Sequence, residues 1–193
     1  MLSSKAPLQR ISSAFFNRST KMSRRMAFSL VGPKRDFDAK DALIICADPR
    51  GGSTWLYEIL SRIDNVAGLW EPLHIGKVSQ FKKLGFDWRY YISEDDSFPE
   101  ARAAFKRLFE GAFREPYILY RTMFRELREA EHLLTKFCRA TQLLPWLTRE
   151  FEFSDKPVHL VRHLCAIVAS QLRYGAWDSV NPYFTEKQYC LIR

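Results

Sequence analysis

Short apolar runs alternate with amphipathic segments along this chain from Asp41 onward. The runs predict strands at residues 42–47, 66–70, 133–138 and 158–162, and one more at 188–192. The first run is unbroken, which is typical of a strand buried on both faces. Apolar residues at helical spacing predict helices over 53–63, 142–151 and 164–172. Because strands that alternate with helices pair in parallel, we expect an open parallel α/β sheet with helices on both faces.

The segment between residues 79 and 131 departs from this alternation because it is richer in charge. We predict helices around 100–113 and 121–131 there, as an inserted region that covers the sheet. The helix after the first strand has Ser53 or Thr54 as its predicted N-cap. Its apolar positions predict a stripe that faces the core, formed by Trp55, Leu56, Ile59, Leu60 and Ile63.

The length and the hydropathy of the chain limit the number of domains and of membrane spans that it can contain. A chain of 193 residues corresponds to one domain at the usual scale of about 150 residues per domain. Its longest aliphatic stretch, residues 42–47, is six residues long, whereas a membrane span needs about twenty. We therefore expect a single globular domain without a transmembrane segment.

The net charge of +8 is not spread evenly along the chain. Residues 1–35 hold eight basic side chains and no acidic one, and the rest of the chain carries 22 of each sign. The predicted domain at 36–193 is thus neutral overall, and we predict no nucleic-acid partner. The basic segment at 1–35 has no apolar stretch of the secretory kind, so it is a disordered tail or an organelle-targeting peptide. We predict a cytoplasmic location, with organelle targeting as the alternative.

The cysteines at positions 46, 138, 165 and 190 lie singly among apolar neighbours. They form no C-x-x-C pair of the kind that binds zinc or exchanges disulfides. This pattern favours buried free thiols in a reducing compartment, and a pair of disulfides in an oxidising lumen is the alternative.

The loop after the first strand carries the strongest chemical signal. Residues 47–56 are A-D-P-R-G-G-S-T-W-L. Two glycines allow the backbone to approach a ligand, and the next helix adds N–H donors and the positive end of its dipole. The segment predicts an anion cradle of the phosphate-binding kind, or else a strand-to-helix turn that uses glycine only for its geometry. A nucleoside-triphosphatase loop needs a lysine before the hydroxyl residue, and this loop has none.

Four short segments occur in the order found in a known family. They are P-R-G-G-S-T-W at 49–55, W-E-P-L-H at 70–74, K-F-C-R at 136–139, and V-H-L-V-R at 158–162 with Ser170 eight residues later. They resemble, in turn, the 5′-phosphosulfate loop, the stretch after the second strand, the basic middle strand and the 3′-phosphate site of one group of enzymes. Those enzymes are the sulfotransferases that use 3′-phosphoadenosine 5′-phosphosulfate (PAPS), particularly the carbohydrate-type branch.

The resemblance implies a P-loop-like sulfotransferase fold and PAPS as the co-substrate, without a metal ion. The implied reaction transfers the sulfuryl group to a hydroxyl of a carbohydrate or related small-molecule acceptor. By resemblance, the 5′-phosphosulfate is held by Arg50, Gly51, Gly52, Ser53, Thr54 and Trp55. The 3′-phosphate is held by Arg162 and Ser170, which on their own are typical of a surface charge and a small solvent-facing residue.

The reaction also needs a base for the proton of the acceptor hydroxyl. Glu71, just past a strand end, is the first candidate, and the resemblance also implies a catalytic carboxylate here. His74 is the second, because its ordinary pKa near 6.5 suits the task. The structural alternatives are a solvated loop carboxylate for Glu71 and a packed or surface imidazole for His74. Arg50 is a third catalytic candidate, since its guanidinium can neutralise the leaving group.

Two other clusters have plainer interpretations. Acidic neighbours favour a solvated, salt-bridged helix face over a glycan-binding face for Arg121, Arg125 and Arg128. Core packing is favoured over a sugar platform for Phe86, Trp88, Tyr90 and Tyr91.

The chain departs from the family pattern in two places. Positions 163–165 are His-Leu-Cys where the family has Asp-Pro-Arg, and the family continues beyond the equivalent of Arg193 with a late strand and helices. The resemblance therefore implies the N-terminal and central part of a sulfotransferase domain. Two hypotheses follow: an active sulfotransferase, and an inactive member that binds adenosine 3′,5′-bisphosphate or a protein partner without turnover.

Overall fold

A computed structural model of the chain describes residues 36–113 and 115–173. It contains one sheet whose strands are β1 (Leu43–Ala47), β2 (Val66–Trp70), β3 (His132–Phe137) and β4 (Val158–Leu160). Their order is β2-β3-β1-β4, and every pair is parallel. The predicted open parallel α/β sheet is thereby confirmed. The tail at 1–35 and the strand predicted at 188–192 lie outside the described residues.

Helices connect and flank the strands. Within the described residues they are α1 (Ser53–Leu60), α2 (Ser79–Lys83), α3 (Pro99–Phe109), α4 (Phe124–Glu129), α5 (Leu144–Phe151) and α6 (Leu164–Arg173). Short 3₁₀ helices at Ala39–Asp41 and Thr141–Leu143 precede β1 and α5. The inserted region between β2 and β3 contains α2, α3 and α4. The helix predicted at 121–131 is shorter, because α4 begins only at Phe124.

Side chains of the central strand β1 alternate between two apolar clusters. Ile44 and Cys46 belong to the larger cluster, which includes the buried side chains of α3 and α5. Ile45 belongs to the smaller one, together with Tyr57 of α1 and Trp70 of β2. Since successive strand residues point to opposite faces, apolar side chains cover both faces of the sheet. This arrangement explains why the first strand is an unbroken apolar run.

Helix α1 differs from the prediction in its cap and in its buried face. Its N-cap is Gly52, at a left-handed φ of 102°, so neither Ser53 nor Thr54 caps it. Ser53 and Tyr57 are buried, whereas the apolar side chains Trp55, Ile59 and Ile63 are exposed. Tyr57 sets this orientation because its hydroxyl occupies the space that a Cβ at Gly68 would need. The predicted stripe is confirmed for Leu56 and Leu60, which are partly buried against the smaller cluster beside Tyr57, and is wrong for the other three residues.

The C-terminal elements are more exposed than the rest of the sheet. The edge strand β4 has three residues, shorter than the predicted 158–162. Every described residue of α6 is at least partly exposed. Cys165 in this helix is an exposed free thiol, so the prediction of a buried one is wrong there. It is confirmed for the buried Cys46, while Cys138 is half-buried and Cys190 lies outside the described residues.

The predicted core role of the aromatic cluster is confirmed for one member and wrong for another. Phe86 is buried and stacks on the partly buried Tyr90 at 4.4 Å between ring centroids. Tyr91 is exposed, and the side chain buried at this point of the segment is that of its neighbour Ile92. In the part of the chain that the structure describes, no helix is long and apolar enough to cross a membrane.

Candidate anion-binding and catalytic site

The candidate residues gather where the strands end. The loop with Arg50 follows β1, Glu71 follows β2, Arg139 follows β3 and Arg162 follows β4. Because all four strands are parallel, their carboxyl ends lie at the same edge of the sheet, which is where open α/β sheets bind ligands.

The loop from Asp48 to Gly52 is a tight turn. The N–H of Gly51 donates to the Asp48 carbonyl at 2.8 Å, and a Cβ at Gly51 would lie 2.8 Å from that same oxygen. Arg50 has a φ of 71°, in the left-handed region that few non-glycine residues occupy. Such strain is concentrated at functional sites, and Glu71 shares it with a φ of 39°.

The first turn of α1 follows this loop directly. The first N–H groups of a helix have no partner within the helix, and the dipole places partial positive charge there. The Ser53 side chain is buried beneath the loop, with its Oγ 3.4 Å from the Cys138 Sγ. Thr54 and Trp55 are exposed. The turn therefore leads directly into the N-terminus of α1, while the Ser53 hydroxyl faces the interior.

The Arg50 side chain lies in the same cleft as Arg162 and Ser170. Its Nε donates to the Ser170 Oγ at 3.0 Å, and the Arg162 guanidinium donates to the Arg50 carbonyl at 3.2 Å. The cleft is open, has a volume of about 210 Å³ and is also lined by Arg173. The structure thus joins one residue predicted for the 5′ end of the donor with the two predicted for its 3′ end.

Arg173 is a cleft residue that the sequence reasoning missed. It lies three residues after Ser170 in α6, a spacing that places two side chains on one helix face. This spacing from Ser170 is the sequence signal that could have identified Arg173 as a cleft residue. With Arg50 and Arg162 it brings three guanidinium groups to one cleft, which is the chemistry that holds a phosphate.

Glu71 accepts hydrogen bonds from three side chains of the β3 end. Its Oε1 receives the Lys136 Nζ at 2.6 Å and the Cys138 Sγ at 3.2 Å, and its Oε2 receives the Arg139 guanidinium at 3.1 Å. The Lys136 side chain is 1% exposed and that of Glu71 14%. Glu71 is therefore a largely buried, ion-paired carboxylate, unlike the solvated loop carboxylate that was the structural alternative.

Two opposing effects set the charge of Glu71. Burial alone raises the pKa of its carboxyl, but the attraction of Lys136 and the hydrogen bonds from Lys136 and Cys138 outweigh burial and lower that pKa. Arg139 acts in the same direction. The carboxylate is consequently ionised at neutral pH.

His74 is held between two aromatic rings. Its centroid is 4.9 Å from that of Trp88 and 5.2 Å from that of Tyr117, both edge to face. Within the described residues its buried Nδ1 has no hydrogen-bond partner. Burial, and then the nearby charge of Arg139, lower the pKa of His74. The imidazole is therefore packed and neutral at neutral pH.

Cys138 connects the loop to the carboxylate. Its thiol lies within hydrogen-bond distance of the Ser53 Oγ and donates to the Glu71 Oε1. Burial and the negative charge of Glu71 raise the pKa of this thiol. It is a protonated hydrogen-bond donor and not a reactive thiolate.

The partners of Glu71 on β3 were not predicted as site residues. Lys136 lies on the same face of β3 as Leu134, and that lysine among apolar strand residues was the sequence signal for a buried charge.

The outcome for the arginines around α4 is mixed, since Arg121 differs from its prediction. It lies before α4, donates to Glu58 at 2.7 Å and so does not share a helix face with Arg125. The salt-bridged face is confirmed for Arg125, which pairs with Glu129 at 3.0 Å.

Comparisons of the chain with protein-family models, with curated proteins and with solved structures find no match. What the fold defines is a parallel α/β protein with a cationic cleft and an ion-paired carboxylate at one edge of its sheet. The sulfotransferase resemblance accordingly rests on the four sequence segments, and we carry it forward as a proposal.

Proposed function

We propose that this chain is a PAPS-dependent sulfotransferase that acts on a hydroxyl of a carbohydrate or related small molecule. The observation that carries the proposal is that the glycine loop ahead of α1, a three-arginine cleft and a largely buried carboxylate share one edge of the sheet. A group-transfer enzyme with an anionic donor can use the loop as an anion cradle, the cleft to bind phosphate and the carboxylate to accept a proton. Its proposed location is cytoplasmic, with organelle targeting through residues 1–35 as the alternative.

The residues present fit a donor that is anionic at both ends. Arg50, Arg162, Ser170 and Arg173 offer guanidinium donors and a hydroxyl to a phosphate group. The N–H groups of the first turn of α1 offer a second anion site next to that cleft. Gly51 is required by the turn itself, because a Cβ there would lie 2.8 Å from the Asp48 carbonyl oxygen.

The chain's task in the transfer is to bind charge and to accept one proton. The acceptor oxygen forms a bond to sulfur while the bond from sulfur to the 5′-phosphate oxygen breaks, and that electron pair leaves with adenosine 3′,5′-bisphosphate. Arg50 and the cradle neutralise the leaving group. The hydroxyl proton passes to Glu71, the first candidate base, or to His74, the second.

The hydrogen bonds of Glu71 support a role as base in one respect, although its lowered pKa makes the carboxylate a weaker proton acceptor. Its partners on β3 fill about three of the four acceptor positions that a carboxylate offers, two on Oε1 and one on Oε2. The remaining position on Oε2 is the one we assign to the acceptor hydroxyl. His74 supports the second choice, since a neutral imidazole can also accept a proton.

An acceptor screen tests the proposal. The protein is incubated with PAPS and a panel of mono- and oligosaccharides, and mass spectrometry follows sulfated product and adenosine 3′,5′-bisphosphate together. We expect equal amounts of both, and neither above background in a variant that combines Arg50→Ala with Arg162→Ala. Binding of the bisphosphate in calorimetry with no transfer to any acceptor supports the inactive member. No binding at millimolar bisphosphate contradicts the sulfotransferase and the bisphosphate-binding member alike, and leaves the inactive member with a protein partner.

A further inference from the structure

Trp70 lies between the surface and the carboxylate in an unbroken chain of contacts. Arg121 pairs with Glu58 at 2.7 Å, and its guanidinium carbon lies 4.0 Å from the centroid of the Trp70 ring. The Lys136 Nζ lies 3.7 Å from the same centroid and 2.6 Å from the Glu71 Oε1. One indole therefore contacts two cations, and the inner one is the partner of Glu71.

The contact between Trp70 and Lys136 meets a physical need. A buried ammonium has lost its hydration, and a single carboxylate oxygen does not replace all of it. The face of a tryptophan is the best aromatic partner for a cation, and the attraction strengthens when both groups are out of water. Lys136 is 1% exposed and Trp70 is 6% exposed, so both conditions hold.

We propose that Trp70 is a positioning residue for Glu71: its ring keeps the Lys136 ammonium on the Glu71 Oε1 and so holds the carboxylate in place. Its catalytic meaning rests on the proposed function, but the contact itself can be tested without turnover. In this role Trp70 acts through Lys136 and not on the substrate. Tyr57 and Tyr120 pack edge to face against its ring at 5.2 and 5.8 Å, and Tyr117 is hydrogen-bonded to its side chain, so the position of the ring is fixed.

The measurable consequence is the ionisation of Glu71. The charged or titratable groups that face it are Lys136, Cys138 and Arg139 from the β3 end, His74 from its own loop and Tyr117 from the inserted region. A lysine released from Trp70 can move away from the carboxylate, and that movement weakens its attraction for Glu71. We therefore expect the pKa of Glu71 to rise when the ring is removed.

The test compares Trp70→Leu and Trp70→Phe with the parent by carbon-13 NMR titration of side-chain carboxyl groups. The Glu71 signal is assigned by its absence in Glu71→Gln. We expect the midpoint for Glu71 to rise by about one pH unit in Trp70→Leu and by roughly half of that in Trp70→Phe, whose ring is a weaker partner. In the pH profile of kcat, the acid limb moves in the same direction while KM for the donor stays constant.

Two control variants separate this role from a loss of packing. Trp146→Phe alters a buried ring in the larger cluster, and Arg121→Gln removes only the outer cation. Neither is expected to move the Glu71 midpoint. An unchanged midpoint in folded Trp70→Leu overturns the inference, and if that variant does not fold, an unchanged midpoint in Trp70→Phe does so. Absence of transfer by the parent contradicts the proposed function alone, since the titration still decides the role of Trp70.

Discussion

The cationic cleft and the Glu71 cluster use the same kinds of side chain in opposite surroundings. Arg50, Arg162 and Arg173 line an open cleft on the surface, where water can reach them. Lys136 and Arg139 instead surround one carboxylate beneath the surface, and their charges are balanced there. Three arginines in one open cleft attract an anion from solution, whereas a buried ion pair has its counter-charge within the protein.

This contrast indicates which of these charged residues contribute to the stability of the fold. Exposed cations contribute little to stability because water and salt screen them. Removing one member of a buried pair leaves the other charged and desolvated, which is costly. We therefore expect substitutions in the cleft to change ligand binding and turnover with little effect on stability, and substitutions in the Glu71 cluster to change both activity and stability.

The largest expected effect is on turnover. Glu71→Gln keeps the shape of the side chain but removes the base, so we expect transfer to slow by a factor on the order of 10² to 10⁴. Steady-state rates, measured at a temperature where the variant is folded, check this outcome. A comparable loss in His74→Ala with none in Glu71→Gln assigns the proton to the histidine. Parent rates in both variants exclude this segment from catalysis.

The next effect is on the free energy of unfolding. Glu71→Gln leaves the buried Lys136 ammonium without its carboxylate, and we expect a loss of about 3–5 kcal/mol. Adding Lys136→Met removes the stranded charge, so the double variant should be more stable than Glu71→Gln. Urea unfolding of the parent, both single variants and the double variant measures this. A Glu71→Gln variant as stable as the parent contradicts the buried ion pair.

Arg50→Ala is the matching substitution in the cleft, where we expect turnover to fall while stability stays close to that of the parent. We expect its transition-state stabilisation to fall by roughly 2 to 4 kcal/mol, the scale for one preorganised charge-stabilising group. Its stability should stay within about 0.5 kcal/mol of the parent, as for most exposed positions. Rates of transfer and urea unfolding on the same preparation separate the two quantities. Transfer at the parent rate shows that the loop assignment is wrong.

A smaller effect is expected for Arg173, the cleft residue that only the structure revealed. Arg173→Ala removes one charge-assisted donor, worth about 1.5–3 kcal/mol, so adenosine 3′,5′-bisphosphate should bind roughly ten- to a hundredfold more weakly. Calorimetric titration measures this, with Arg162→Ala as the positive control and Arg125→Ala, on α4, as the negative one. Equal affinity for the parent and Arg173→Ala removes this residue from the site.

The smallest effect is the dependence of stability on pH. The pKa of Glu71 is lower in the folded chain than its ordinary value of 4.5, because the attraction of Lys136 outweighs burial. The ion pair therefore stabilises the fold above about pH 4.5, and its contribution is lost as the pH falls through the lower folded pKa. The difference in the free energy of unfolding between the parent and Glu71→Gln should therefore become smaller as the pH falls through this range. A gap that stays constant between about pH 7 and pH 3 contradicts the lowered pKa.

Much of the fold could be predicted from local pattern. Strands β1, β2 and β3 match the apolar runs because both faces of the sheet are buried, so nearly every strand position must be apolar. The stripe of α1 was assigned correctly only for Leu56 and Leu60, because the buried centre of that face is Tyr57 fitting over Gly68. The strand β4 was predicted, but its length was overestimated, since an edge strand has only one partner to define its length.

By itself the sequence determined the parallel α/β order, the glycine loop ahead of a helix and the candidate residues at strand ends, because these follow from neighbours along the chain. The tertiary structure alone decided which of them meet. Arg50 and Ser170 are 120 positions apart and Glu71 and Lys136 are 65 apart, yet each pair is in hydrogen-bond contact. Local periodicity carries no information on such contacts, because sheet order and side-chain packing set them.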